Sequence, residues 1–184
     1  MRLFIATDLP ADVLAAVAEI HEELEDRVRP VRWVRTESMH LTLKFIGEVS
    51  EERAGAIAAG LALVREPAVR VAVSGVGFFP NERAPRVFWA GVVSEGLPPL
   101  AAAIEKRMAA LGFEPERRAY NPHLTLARAR GDGRLDRGLV EAAASMKDRA
   151  FGEFTADRFY LYESRLERSG AVYTKMREYP LEGA

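Results

Sequence analysis

Histidine is scarce in this chain, three residues in 184, and two of the three open the same tetrapeptide: His40-Leu41-Thr42-Leu43 and His123-Leu124-Thr125-Leu126. Side chains alternate between faces along an extended strand, so each copy sets an imidazole and a hydroxyl on one face and two leucines on the other, buried face. Imidazole is the group best suited to moving protons near neutral pH, and two on facing strands supply an acid and a base on either side of a bound group. A hydroxyl two residues beyond each imidazole adds donors for an anion. Together these suit displacement at phosphorus: one histidine takes the proton of the nucleophile, the other protonates the leaving oxygen, and Thr42 and Thr125 donate to the non-bridging oxygens.

Other chemistries are poorly served by the residues present. There is no cysteine, which removes disulfides, thiolate nucleophiles and thiolate zinc sites. Two histidines do not complete a tetrahedral metal site, and no carboxylate or third histidine stands at a ligand-like offset near both motifs, so no metal and no cofactor is implied. No Gly-x-Ser-x-Gly elbow is present for a serine triad. The third histidine, His21, sits at the edge of an apolar helical stripe and reads as incidental. Lys and Arg total 26 against 27 Asp and Glu, a net charge of −1, so affinity for nucleic acid must come from local patches. The chain has 48% apolar and 29% charged residues, and its opening Met-Arg-Leu-Phe-Ile-Ala-Thr-Asp runs straight into a strand pattern. No apolar run approaches a membrane span; the expectation is a cytoplasmic, monomeric protein of one domain over residues 1–184.

The elements that must position the motifs follow from periodicity. Residues 2–8 read as a buried strand, then Val13, Leu14, Val17, Ile20 and Leu24 mark a helix to about residue 27, and Pro30 breaks the chain. A short extended piece, residues 31–35, carries Trp33. The first motif strand is expected over residues 40–46, with Gly47 ending it. Strict alternation puts Lys44 beside His40 and Thr42, where it either adds charge to the site or ends the strand in solvent. Ser50 caps a helix to about residue 66. Residues 69–78 and 86–93 form a hairpin whose Arg83 and Arg86 are either phosphate contacts or simply solvated. Pro98 and Pro99 open a helix that Gly112 closes. Tyr120-Asn121-Pro122 leads into the second motif strand, residues 123–128, where Arg128 falls on the leucine parity and reaches the site only if the strand twists or bulges. A helix carrying Leu135, Leu139 and Val140 follows, then strands at about 153–163 and 171–179 around a turn at Ser169-Gly170. The two halves repeat one order, helix, His-x-Thr strand, helix and hairpin, and an approximate twofold arrangement would bring the motif strands face to face.

Paired His-x-Thr-x motifs in this setting resemble the two-histidine (2H) phosphoesterase superfamily. The branch most similar is the RNA 2′,3′-cyclic phosphodiesterases, also called 2′-5′ RNA ligases. The likeness covers the Arg-Leu-Phe-Ile-Ala start, His40-Leu41-Thr42-Leu43-Lys44-Phe45-Ile46-Gly47 and Pro122-His123-Leu124-Thr125-Leu126-Ala127-Arg128. It implies an α+β bilobal fold, two pseudo-twofold-related lobes that are each an antiparallel sheet with helices outside, around a central cleft. It also implies metal-independent hydrolysis of a terminal 2′,3′-cyclic phosphate to a 2′-phosphomonoester, with reversible 2′-5′ ligation as the same chemistry run with a 5′-hydroxyl. In that family's scheme His40 is the proton donor to the leaving 3′ oxygen and His123 the proton acceptor from water, and Thr42 and Thr125 hold the phosphate. Lys44 by strand parity, and Arg128 if its strand twists or bulges, are the further candidate substrate contacts. RNA ends such as tRNA halves would be the partners. Two other readings stay open: the same site acting on a small cyclic phosphate or a 2′-5′ linkage, and a module that binds RNA ends or nucleotides without turnover.

Overall fold

The computed structural model describes residues 1–25, 28, 31–167 and 170–183. The expected helix end at residue 27, the break at Pro30 and Ser169 of the last turn lie outside the described residues. Two antiparallel sheets make up the frame. The first orders its strands β3 (Leu41–Glu48), β1 (Arg2–Thr7), β8 (Arg158–Glu167) and β9 (Gly170–Pro180). The second orders β2 (Arg32–Trp33), β6 (His123–Arg128), β5 (Val87–Val93), β4 (Val69–Phe79) and β7 (Ala150–Ala156). Helices α1 (Ala11–Leu24), α2 (Glu51–Leu61), α3 (Leu97–Ala110) and α4 (Arg137–Ala143) complete an α+β fold of two sheets.

Local chemistry accounts for the helix limits. In α1 the buried residues are Val13, Val17, Ile20 and Leu24, one stripe at helical spacing. Ser50 caps α2, its hydroxyl accepting from the Arg53 amide at 3.3 Å. Helix α3 carries Pro98 and Pro99 in its first turn, where a missing N–H leaves no helical bond unmade. It ends in a Schellman motif: Gly112, at φ +80°, donates to Ala109 and Phe113 donates to Met108.

Two expectations are corrected. The single strand expected at 153–163 is two strands, β7 and β8, broken at Asp157, and they belong to different sheets. The halves are also interleaved: the β4–β5 hairpin that follows the first motif joins the second motif's sheet, while the C-terminal β8–β9 hairpin joins the first motif's. The helices cross over as well, α1 packing on β7 and α3 on β3. Arg149 pins the first of these contacts through Glu19 and Glu23 of α1. One apolar cluster therefore draws on both sheets and all four helices, from Leu3 and Val13 through Ile57 and Ile104 to Leu139. In β1 the alternation is strict, Leu3 and Ile5 entering that core while Phe4 and Ala6 line the opposite face of the first sheet with Tyr160 and Tyr162. Among the described residues no helix is long and apolar enough to cross a membrane.

Candidate active site

The motif strands β3 and β6 lie against each other, each from a different sheet. His40 stands one residue ahead of β3 and His123 opens β6. Both are anchored in the same way: the Nδ1 of His40 lies 2.9 Å from the Ser38 carbonyl and that of His123 lies 2.9 Å from the Asn121 carbonyl, two residues back in each case. A carbonyl oxygen only accepts, so each Nδ1 carries the hydrogen and each Nε2 is the nitrogen left for proton transfer.

The two imidazoles differ in their surroundings. His40 is boxed by aromatic rings, Phe4 at 4.6 Å and Tyr173 edge-on at 5.1 Å between centroids. Burial holds its pKa below the usual value of 6.5; the Ser38 hydrogen bond and the Asp8 carboxylate pull it up, and the Arg128 charge pushes it down. His123 is the more open of the pair and meets the edge of Phe79 at 5.0 Å. That Arg128 bears on His40, and that the Tyr120 hydroxyl, three residues before His123, donates to the Thr42 carbonyl at 3.1 Å, ties the second motif to the first.

A β-bulge recurs at the same place in both motifs. Along β3, Thr42 pairs with Ala6 and Lys44 with Ile5, leaving Leu43 as the extra residue. Along β6, Thr125 pairs with Trp89 and Ala127 with Phe88, leaving Leu126. A bulge inverts parity beyond it. Lys44 and Ala127 therefore turn inward, while Phe45, 67% exposed, and Arg128 turn out to the face that carries the threonines. The alternation that put Lys44 beside His40 is thereby corrected: its ammonium is buried and held by both oxygens of Glu105 on α3, at 2.7 and 2.8 Å. Arg128 moves the other way, into the site, its Nη2 donating to the Thr125 hydroxyl at 3.4 Å. Gly47 does not end β3; it lies within the strand at φ +88°, beside a second register shift. Of the hairpin arginines, Arg86 is engaged by the Gly131 carbonyl at 3.1 Å and by Asp132 at 3.6 Å.

Several residues near His40 carry no local signal in the sequence. Asp8 accepts from the Tyr162 hydroxyl and from the Lys175 ammonium, which also sits 4.0 Å from the centre of the Tyr160 ring. Tyr162 stacks on Phe4, at 5.0 Å and 6° between planes, and Phe4 in turn covers His40. Burial raises the pKa of the Tyr162 hydroxyl, reinforced by the bond to Asp8, so it stays a donor. These residues come from β1 and the residue that follows it, Asp8, and from β8 and β9, and only the pairing of distant segments shows them to be neighbours. A groove of about 940 Å³ between α2 and β9 holds no motif residue. Among the described residues no group of three or more His, Asp or Glu side chains is arranged to hold a metal ion.

A profile of the family described as LigT like Phosphoesterase matches residues 8–89 and 91–173, one segment containing each histidine motif. A protein of Methanocaldococcus jannaschii named RNA 2′,3′-cyclic phosphodiesterase is 34% identical over 179 residues, covering 97% of this chain and 100% of that protein. The crystal structure of a Thermus thermophilus protein superposes with a TM-score of 0.82 at 32% identity, covering 100% of this chain and 99% of that one. That of E. coli LigT complexed with 3′-AMP does so with a TM-score of 0.78 at 28% identity, covering 98% of each chain.

Proposed function

This chain belongs to the LigT-like phosphoesterase family, and from that premise we propose that it is an RNA 2′,3′-cyclic phosphodiesterase working by paired histidine acid-base catalysis. The relatives' activity supports the substrate class, and the bilobal two-sheet fold is shared with them. The observation that carries the reading is the matched anchoring of His40 and His123, each with Nδ1 on a carbonyl and Nε2 available, in strands that lie against each other.

The steps balance without an added reactant. His123 Nε2 takes a proton from water as the water oxygen bonds to phosphorus; the bond from phosphorus to the 3′ oxygen breaks, and His40 Nε2–H gives its proton to that oxygen. The 2′ oxygen keeps the phosphoryl group, leaving a 2′-phosphomonoester and a free 3′-hydroxyl. The histidines finish with exchanged protonation states and re-equilibrate through solvent. Thr42, Thr125 and Arg128 donate to the non-bridging oxygens, where charge gathers as phosphorus becomes five-coordinate. Lys44 has no part, since Glu105 neutralises it. Burial favours neutral His40 in the free protein; a phosphate anion beside Nε2 raises its pKa, so the acid is charged as substrate arrives. With a 5′-hydroxyl in place of water the same displacement, again releasing the 3′ oxygen, joins two RNA ends through a 2′-5′ linkage, tRNA halves being one such pair; run backwards, it cleaves that linkage to the cyclic phosphate and the 5′-hydroxyl.

Phosphorus NMR of a 2′,3′-cyclic nucleotide and of a short RNA with a cyclic end tests this. The 2′-monophosphate is expected as the sole product. A 3′-monophosphate would assign the leaving oxygen wrongly, and saturable binding with no product would make the protein a binding module.

A further inference from the structure

Edge strand β2 is only two residues long, yet it is firmly held. Trp33 is wedged between His21 of α1, at 4.5 Å between ring centroids, and Phe88 of β5, at 6.2 Å, and the Val34 amide donates to the Leu126 carbonyl at 2.8 Å. Its register on β6 pairs Trp33 with Ala127 and Arg32 with Arg128. Ala127 faces the core, so Trp33 does too; directly opposed residues share a face, so Arg32 stands with Arg128 on the side that carries Thr125. The bulge at Leu126 creates this juxtaposition, because without it Arg128 would share the leucine face.

Two like charges opposed across a ladder are unfavourable. Two nearby arginines are ion-paired, Arg35 with Glu37 at 3.5 Å and Arg86 with Asp132 at 3.6 Å; what sets Arg32 and Arg128 apart from other unpaired arginines is their direct opposition across the ladder. Among the described residues no carboxylate lies within ion-pair distance of Arg32 or Arg128. Two uncompensated guanidiniums carried on one face by paired backbone, one of them hydrogen-bonded to Thr125, are suited to a second anion. An RNA 3′ end carries one: the phosphodiester that joins its last nucleotide to the one before.

We propose that Arg32 and Arg128 form a second phosphate subsite that grips the phosphodiester immediately 5′ of the nucleotide bearing the cyclic phosphate, so that the favoured substrate is an RNA end of two or more nucleotides and not a cyclic mononucleotide. The inference rests on the phosphodiesterase reading above. Arg128, tied to Thr125, spans the reacting phosphate and the second one; Arg32 serves the second alone.

The test compares kcat/KM for a cyclic mononucleotide and for a dinucleotide ending in a 2′,3′-cyclic phosphate, in wild type, R32Q and R32K. The preference of wild type for the dinucleotide is expected to fall about tenfold in R32Q, a typical loss for one charged phosphate contact, and to be partly restored in R32K. Replacing the internucleotide phosphate by a neutral methylphosphonate is expected to abolish the difference between wild type and R32Q. Relief of the like-charge pair means that R32Q melts no lower than wild type. An unchanged substrate ratio in R32Q, or an equal loss on both substrates with a lowered melting temperature, overturns the subsite. Wild type that turns over neither substrate overturns the phosphodiesterase reading, and this inference with it.

Discussion

His40 and His123 share an anchor and differ in burial, and that difference has measurable consequences. Burial keeps the His40 pKa below 6.5 in the folded chain, so between the folded value and about 6.5 the unfolded chain binds more protons. Folding stability therefore rises with pH through that window and is lost as pH falls through it. Thermal melts of wild type are expected to weaken below about pH 6.5 more steeply than those of H40N, and equal slopes would contradict the burial argument. Histidine NMR is expected to place the His40 midpoint below 6.5 in the free protein and to move it upward on addition of a 2′-mononucleotide. The threonines give a second residue-scale prediction: T42V and T125V keep shape and lose a donor, and each is expected to lower kcat by about 10²-fold, the usual cost of one donor to a developing oxyanion. The motif residues were legible in the sequence because a short, duplicated pattern names them locally. Asp8, Tyr162 and Lys175 were not, because β1, β8 and β9 meet only through long-range pairing.

At the level of the strand, alternation placed His40 with Thr42 and His123 with Thr125, and it failed two residues beyond each threonine, at Lys44 and Ala127. The cause is the paired bulges at Leu43 and Leu126, which depend on the register of a neighbouring strand and leave no mark in local composition. They exchange Lys44 for Arg128 as the cation on the face that carries the threonines. Lys44 instead ties β3 to α3 through Glu105, with only 7% of the lysine side chain exposed. K44M is therefore expected to retain kcat/KM while losing about 2 kcal/mol of stability, discounted from the usual cost of breaking a buried pair because Glu105 is partly solvated. The double variant K44M/E105L should recover most of that loss, measured by urea denaturation. A large fall in kcat/KM for K44M, with the fold intact, would return Lys44 to the site.

On the scale of the whole molecule, each sheet combines strands from both ends of the chain, and α1 and α3 pack across to the opposite sheet. The repeated order of elements was readable from periodicity and turn residues; the exchange of hairpins between sheets was not, since β7 passes to β8 through the single residue Asp157, too short a break to mark a change of sheet. Interleaving of this kind implies that neither half buries its core alone. Residues 1–89 and 91–184 expressed separately are expected to lack cooperative unfolding, whereas the full chain unfolds in one transition, with circular dichroism and activity lost together. An independently folded half would contradict the interleaved core. The same architecture sets the strands of two weakly informative tetrapeptides against each other, and the proposed function requires that the pair of histidines, and not either one, is the catalyst. Turnover of a cyclic-ended dinucleotide by wild type, H40A, H123A and the double variant tests it most directly. Each single variant is expected to lose at least about 10²-fold to 10⁴-fold in kcat while remaining folded, with the double variant little worse than either because the two act as a unit. Full turnover by either single variant would contradict the account.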